Sequence, residues 1–328
     1  MLPISSRSSS RLVVAALSAL VGATALSGCT NRLPALPEDP RRELTGVPFF
    51  PQTIHQCGPA ALATVLGATG VTTTPEQLSP LVYIPGRRGS LQVEMLAAAR
   101  SKGRLAFVLE PRFADLQAEL AAGNPLLVLQ DLGALGIRRW HFAVVVGFDP
   151  DQDVLILRSG TERRRLERRE QFLHTWKAGE YWAAVLTRPD QPPATATGSS
   201  FIRALTATER YLATESISGG NAVALARWPA DPLVLLANGN QAYAAGQLAT
   251  AISRYRSLLA IEPTHLAGRN NLANALLDAG CPRQALAQAE QSASLLPADS
   301  PLAAAVNDTL AKARAADANA SPSTCSAE

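Results

Sequence analysis

Between residues 47 and 187 the chain alternates two hydrophobic periods. Residues 59–66, 90–101 (SLQVEMLAAARS) and 113–122 carry apolar positions at helical spacing, and Gly103 and Gly123 act as stop signals after the last two. Residues 104–109, 126–130 (LLVLQ) and 141–148 (HFAVVVGF) are short, nearly continuous apolar runs that predict buried strands. The polar run 149–153 (DPDQD) predicts a turn, with 154–157 returning as the hairpin partner. A helix over 167–177 and a last strand over 182–186 complete this part. Helices first and antiparallel strands later predict an α+β domain over 47–190.

The pattern then changes. Residues 191–200, QPPATATGSS, have the composition of a linker, and beyond them the chain reads as all-α. Pro229, Pro263 and Pro297 stand 34 residues apart, as do Gly246 and Gly280, and Ala251 and Ala285. This period resembles the tetratricopeptide repeat. The match is good over 231–263 and 263–297, degenerate in the front half of 201–229, and capped by 301–315. Stacked helix pairs of that kind imply an all-α solenoid, here 201–315, whose concave groove would hold a protein partner or substrate. Residues 316–328 read as a disordered tail.

At the other end, Arg7 and Arg11 precede an apolar run over 12–26. That run is shorter than the ~20 residues a spanning helix needs. It closes on Leu26-Ser27-Gly28-Cys29, which resembles a bacterial lipobox. A signal peptide over 1–28 would be removed and Cys29 lipidated. Thr30 in place of an Asp favours the outer membrane, with the protein facing the periplasm. The Pro-rich, charged stretch that follows predicts a tether over 29–46.

Composition narrows the function classes. The 328 residues are 47% hydrophobic and 17% charged, with a net charge of +3, so a core is expected and no basic excess points to nucleic acid. No metal-ligand spacing, P-loop or dinucleotide fingerprint appears, and no cofactor is expected. The run 158–170, RSGTERRRLERRE, reads as a solvated strand end and helix with internal ion pairs; the other reading is a patch for lipid headgroups or an acidic substrate. With Cys29 lipidated and Cys57 free, Cys281 and Cys325 are left either to pair in an oxidising compartment or to stay reduced.

The chemistry centres on QTIHQCGPAAL, residues 52–62. Gly58-Pro59 fits a helix start, so Cys57 would sit where backbone N–H groups and the helix dipole favour a thiolate. Gln52 could offer its amide beside the Cys57 N–H as an oxyanion hole. Far downstream, Trp140-His141 opens an apolar strand, and its imidazole could take the thiol proton. His55, His174 and His265 are weaker candidates.

The stretches VPFFPQTIHQCGPAALATVLG, GSLQVEMLAAARSKG, GNPLLVLQDLG and WHFAVVVGFDPDQDVLILRSG are similar to cysteine peptidase family 39. These are papain-like domains known for cleaving after double-glycine leaders. The resemblance covers roughly 47–187. It implies a papain-like thiol peptidase with Cys57 as nucleophile, His141 as general base and acid, and Gln52 in the oxyanion hole. The family expects an Asp where the strand after the His strand ends. That place reads Leu157-Arg158-Ser159 here, with Arg158 in the acid's position, which leaves open Asp131 or Asp149 as the third member, or a Cys–His dyad that works without one. The rival expectation is a catalytically inactive peptidase-like binding or scaffold lipoprotein.

Overall fold

The computed structural model describes residues 42–52, 56–319 and 325; the signal peptide, Cys29 and His55 lie outside them. The chain enters as β1 (Arg42–Glu43), then α1 (Cys57–Ala68) and α2 (Pro75–Val82). The hairpin β2 (Tyr83–Ile84) and β3 (Gly89–Ser90) leads into α3 (Gln92–Ser101), β4 (Leu105–Val108) and α4 (Phe113–Ala121). Next come β5 (Leu126–Asp131), β6 (Trp140–Asp149), β7 (Val154–Ser159) and β8 (Glu162–Arg168). The helix α5 (Arg169–Ala178) and β9 (Ala183–Thr187) close this part.

Among the described residues, seven strands form one antiparallel sheet in the order β4-β9-β5-β6-β7-β8, with β1 also paired to β6. Side chains alternate between its faces. Leu127, Leu129, Phe142 and Val144 pack on one side with Leu62 and Leu66 of α1. Leu126, Val128, Ala143 and Val145 pack on the other with Phe172 and Trp176 of α5. Burial on both faces is why β5 and β6 read as unbroken apolar runs.

Three boundaries differ from the sequence reading. The tether expected over 29–46 already contributes β1, and Val47 is buried. The helix expected over 167–177 is preceded by β8, an outer strand whose Glu and Arg side chains keep the sheet edge solvated. Most consequential is the expected linker, which is docked. The wholly buried carboxylate of Glu119 accepts hydrogen bonds from Ala194 N (3.2 Å), Thr195 N (2.7 Å) and Thr195 Oγ1 (2.6 Å). Thr197 then caps the next helix, α6 (Gly198–Thr208), in a reciprocal box with Ser200. Phe201 of α6 stacks on Phe107 of β4 at 6.2 Å, so the sheet and the following helices share a core.

Beyond α6 lie α7 (Thr214–Arg227), α8 (Pro232–Ala244), α9 (Leu248–Ile261), α10 (Leu266–Asp278), α11 (Pro282–Ser294) and α12 (Ala303–Ala318). α10 and α11 repeat α8 and α9 at a 34-residue step. Gly246 and Gly280 turn each pair with φ of +71° and +73°, and Ala251 and Ala285 are fully buried at the helix contacts. Helix α12 runs to Ala318, past the expected end of the repeats at 315, and Cys325 is disulfide-bonded to Cys281. Among the described residues no helix is long and apolar enough to cross a membrane.

Candidate active site

α1 is apolar around its whole circumference, with Gly58 through Leu66 buried, so it packs against the sheet and reaches solvent only at its two ends. Cys57 is that first residue and is partly exposed. Gly58 next to it has no room for a side chain: a Cβ there would lie 2.2 Å from Ser90 Oγ and 2.6 Å from Ser90 Cβ. Backbone groups of Phe142, Gly58 and Cys57 itself hydrogen-bond toward the thiol and favour thiolate, as the helix start predicts. Desolvation is the larger effect, and it holds the Cys57 pKa above its ordinary value. The shift favours the thiol over the thiolate.

His141 is the second residue of β6. Its Nε2 lies 2.8 Å from Ser159 Oγ at the end of β7, and Nδ1 has no hydrogen-bond partner among the described residues. A hydroxyl can donate or accept, so Ser159 suits either neutral tautomer. Burial lowers the His141 pKa to about 4, helped by the positive charges of Arg165 and Arg139. Both shifts favour the neutral forms, thiol and imidazole.

Neither expected carboxylate reaches this imidazole. Asp131 accepts from the backbone of Gly133 (2.9 Å) and Arg139 (2.8 Å) and pairs with Arg138 at 3.4 Å, organising the loop between β5 and β6. Asp149 caps the β6–β7 turn through Asp151 N at 3.1 Å and Gln152 N at 3.3 Å. Arg158 is buried and points away from His141, donating to Arg163 O at 2.7 Å and pairing with Glu43 at 3.4 Å. The place assigned to Arg158 by sequence belongs to Ser159, because neighbouring residues on a strand face opposite sides.

Gln52 braces the site. Its Oε1 accepts from Gly160 N at 3.0 Å, and its Nε2 donates to Phe142 O at 3.2 Å, which leaves one amide hydrogen without a partner among the described residues. Cys57, His141, Gln52, Ser159, Ser90 and Trp140 all line one cleft of about 890 Å³. Ser90 and Ser159 were missed by sequence reasoning. Ser90 Oγ is buried beside Gly58 without a hydrogen-bond partner among the described residues. Of the weaker histidines, His174 lies exposed on α5, and His265 caps α10 by accepting from Gly268 N at 3.0 Å.

Residues 44–183 match the family model described as Peptidase_C39 like family. This is the segment whose motifs resemble cysteine peptidase family 39, and it takes in Gln52, Cys57, His141 and Ser159. No curated protein matches the chain. Among solved structures, a putative C39-like peptidase from Bacillus anthracis is 15% identical, with a TM-score of 0.39, covering 47% of this chain and 100% of its own. The peptidase domain of Streptococcus ComA, a bi-functional ABC transporter involved in a quorum sensing pathway, is 18% identical. Its TM-score is 0.35, and the match covers 43% of this chain and 98% of that one.

Proposed function

We propose that the protein is a cysteine peptidase that works from a neutral thiol–imidazole pair. The supporting observation is that Cys57 and His141 line one cleft, with backbone hydrogen bonds at the thiol and Ser159 on the far ring nitrogen. As Sγ bonds to the substrate carbonyl carbon, the thiol proton passes to His141 Nδ1. The oxyanion is met by the Cys57 N–H and the remaining Gln52 amide hydrogen. The C–N bond then breaks, His141 returns its proton to the leaving amine, and a thioester remains on Cys57. Water attacks the thioester carbonyl as His141 takes its proton, the C–S bond breaks to release the carboxylic acid, and His141 passes the proton back to Sγ. Ser159 acts as a positioning residue for the imidazole, a place where a carboxylate would also stabilise imidazolium.

The wider setting belongs to the same proposal. Lipidation at Cys29 would anchor the chain to the outer membrane, and the Cys281–Cys325 disulfide fits an oxidising compartment such as the periplasm. The 34-residue helix pairs act as tetratricopeptide repeats that hold a protein partner or the substrate. The test is incubation of the full chain with a degenerate peptide pool, followed by mass-spectrometric mapping of new termini. Cleavage by the wild type and none by Cys57→Ala is the expected result. An unchanged pool with the wild type would leave the inactive scaffold as the better account.

A further inference from the structure

The candidate cleft has a lopsided charge. Five arginines line it, Arg87, Arg88, Arg138, Arg139 and Arg165, against the single carboxylate of Glu180. They come from separate elements: the β2–β3 turn, the β5–β6 loop and β8. Two are partly committed. Arg138 pairs with Asp131 at 3.4 Å and lies over the Trp140 ring at 5.2 Å, and Arg165 pairs with Glu162 at 3.3 Å. Arg87, Arg88 and Arg139 are exposed and have no carboxylate partner among the described residues. Elsewhere Arg164 pairs with Glu43, Arg169 with Asp153 and Arg188 with Asp190. The positive field also reaches the reacting groups, since Arg165 and Arg139 both disfavour protonation of His141.

Resting on the peptidase reading, we infer that the cleft selects acidic peptides, with Asp or Glu side chains near the scissile bond meeting Arg87, Arg88 and Arg139. Guanidinium forks suit carboxylates geometrically, and three from two loops can hold a strand with acids at more than one position. A peptide of either charge type would fill the cleft, so the arginines bias the choice of substrate.

Binding tests this apart from turnover. Two fluorescein-labelled peptides of equal length, differing only in Glu for Gln at positions flanking the centre, are titrated into the full-length Cys57→Ala chain and followed by anisotropy. The acidic peptide is expected to bind roughly 10-fold tighter, the weight of two or three solvent-screened ion pairs. The ratio should shrink in about 0.5 M salt, where screening shortens to a few ångströms. It should also fall toward one in a doubly substituted Arg88→Glu, Arg139→Glu chain whose melting curve matches the parent. Equal binding of the two peptides, or a preference that survives the double substitution, overturns the inference. So does binding to phosphatidylglycerol vesicles with no distinction between the peptides. Cleavage of both peptides by the wild type at equal rates would sink the charge preference and leave the peptidase reading standing. A charge preference without cleavage would do the reverse.

Discussion

Replacing Ser159 by Asp would bring a carboxylate within hydrogen-bond reach of His141 Nε2, where the hydroxyl oxygen now lies at 2.8 Å. In the wild type, burial and two arginine charges hold the imidazole pKa at about 4. An adjacent carboxylate raises such a group by roughly 1–3 units, each worth about 1.4 kcal/mol. His141 should then titrate between about 5 and 7 in Ser159→Asp. The base is neutral imidazole, so activity in the wild type should persist down to about pH 4 and its acid limb should move upward in the variant. Stability carries the same sign. The folded pKa lies below the unfolded value near 6.5, so between those pH values the unfolded chain binds the extra proton. Wild-type stability should therefore fall as pH drops from about 6.5 to 4, by up to about 3 kcal/mol from this residue. The assay is histidine-selective NMR titration, with the His141 resonance assigned by its loss in His141→Gln, alongside the pH dependence of kcat/KM. A wild-type His141 titrating near 6.5, or one unmoved by Ser159→Asp, would refute the placement of Ser159 on the imidazole.

Three further substitutions probe the frame around the site. Gly58→Ala forces a methyl against Ser90 Oγ and should cost about 2 kcal/mol by overpacking, read as a lower urea midpoint; an unchanged midpoint would mean the contact relaxes freely. Glu119→Ala leaves the Ala194 and Thr195 N–H groups without their acceptor and should cost about 3 kcal/mol. It should also open residues 191–200 to limited proteolysis, and resistance equal to wild type would argue against Glu119 as the latch. Reducing Cys281–Cys325, or Cys325→Ser, releases a 44-residue separation and should lower stability by about 4 kcal/mol at most. Identical melting of oxidised and reduced protein would contradict a structural role.

The strands of the sheet were readable because β5, β6, β7 and β9 are buried on both faces, so their sequences carry little but apolar residues. β8 was not, since an edge strand of Glu and Arg has the composition of a solvated helix. α2 was passed over although Thr74-Pro75 followed by Gln77 is a capping box with Pro at the helix start, and both reciprocal bonds are present. Ser159 was hidden by a bulge. The β6–β7 ladder pairs Gly147 with Ile156 but Val145 with Leu157, so Val146 is an extra residue on β6. Counting straight back from the turn would pair Val145 with Arg158 and turn Arg158 to the face of His141. The extra residue pairs Val144 with Arg158 instead, reversing the faces and giving that place to Ser159. The helix start at Cys57 was legible, yet the direction of its pKa was not. Sequence exposes the favourable N–H groups and conceals the desolvation that outweighs them. The linker looked flexible for a similar reason: its Pro, Thr and Ser composition gives no hint of a buried carboxylate 75 residues upstream.

The central claim is that Cys57 is a nucleophile served by His141, and trapping it with a peptide-based vinyl sulfone tests this most directly. Intact-mass and peptide-mapping spectra should show one adduct, on Cys57, forming at neutral pH in the wild type. The adduct should be absent in Cys57→Ala and should form at least about 100-fold more slowly in His141→Ala, the usual weight of a general base. Labelling of Cys57 at the same rate with and without His141, or a rate tracking only the ionisation of a buried thiol, would contradict the account.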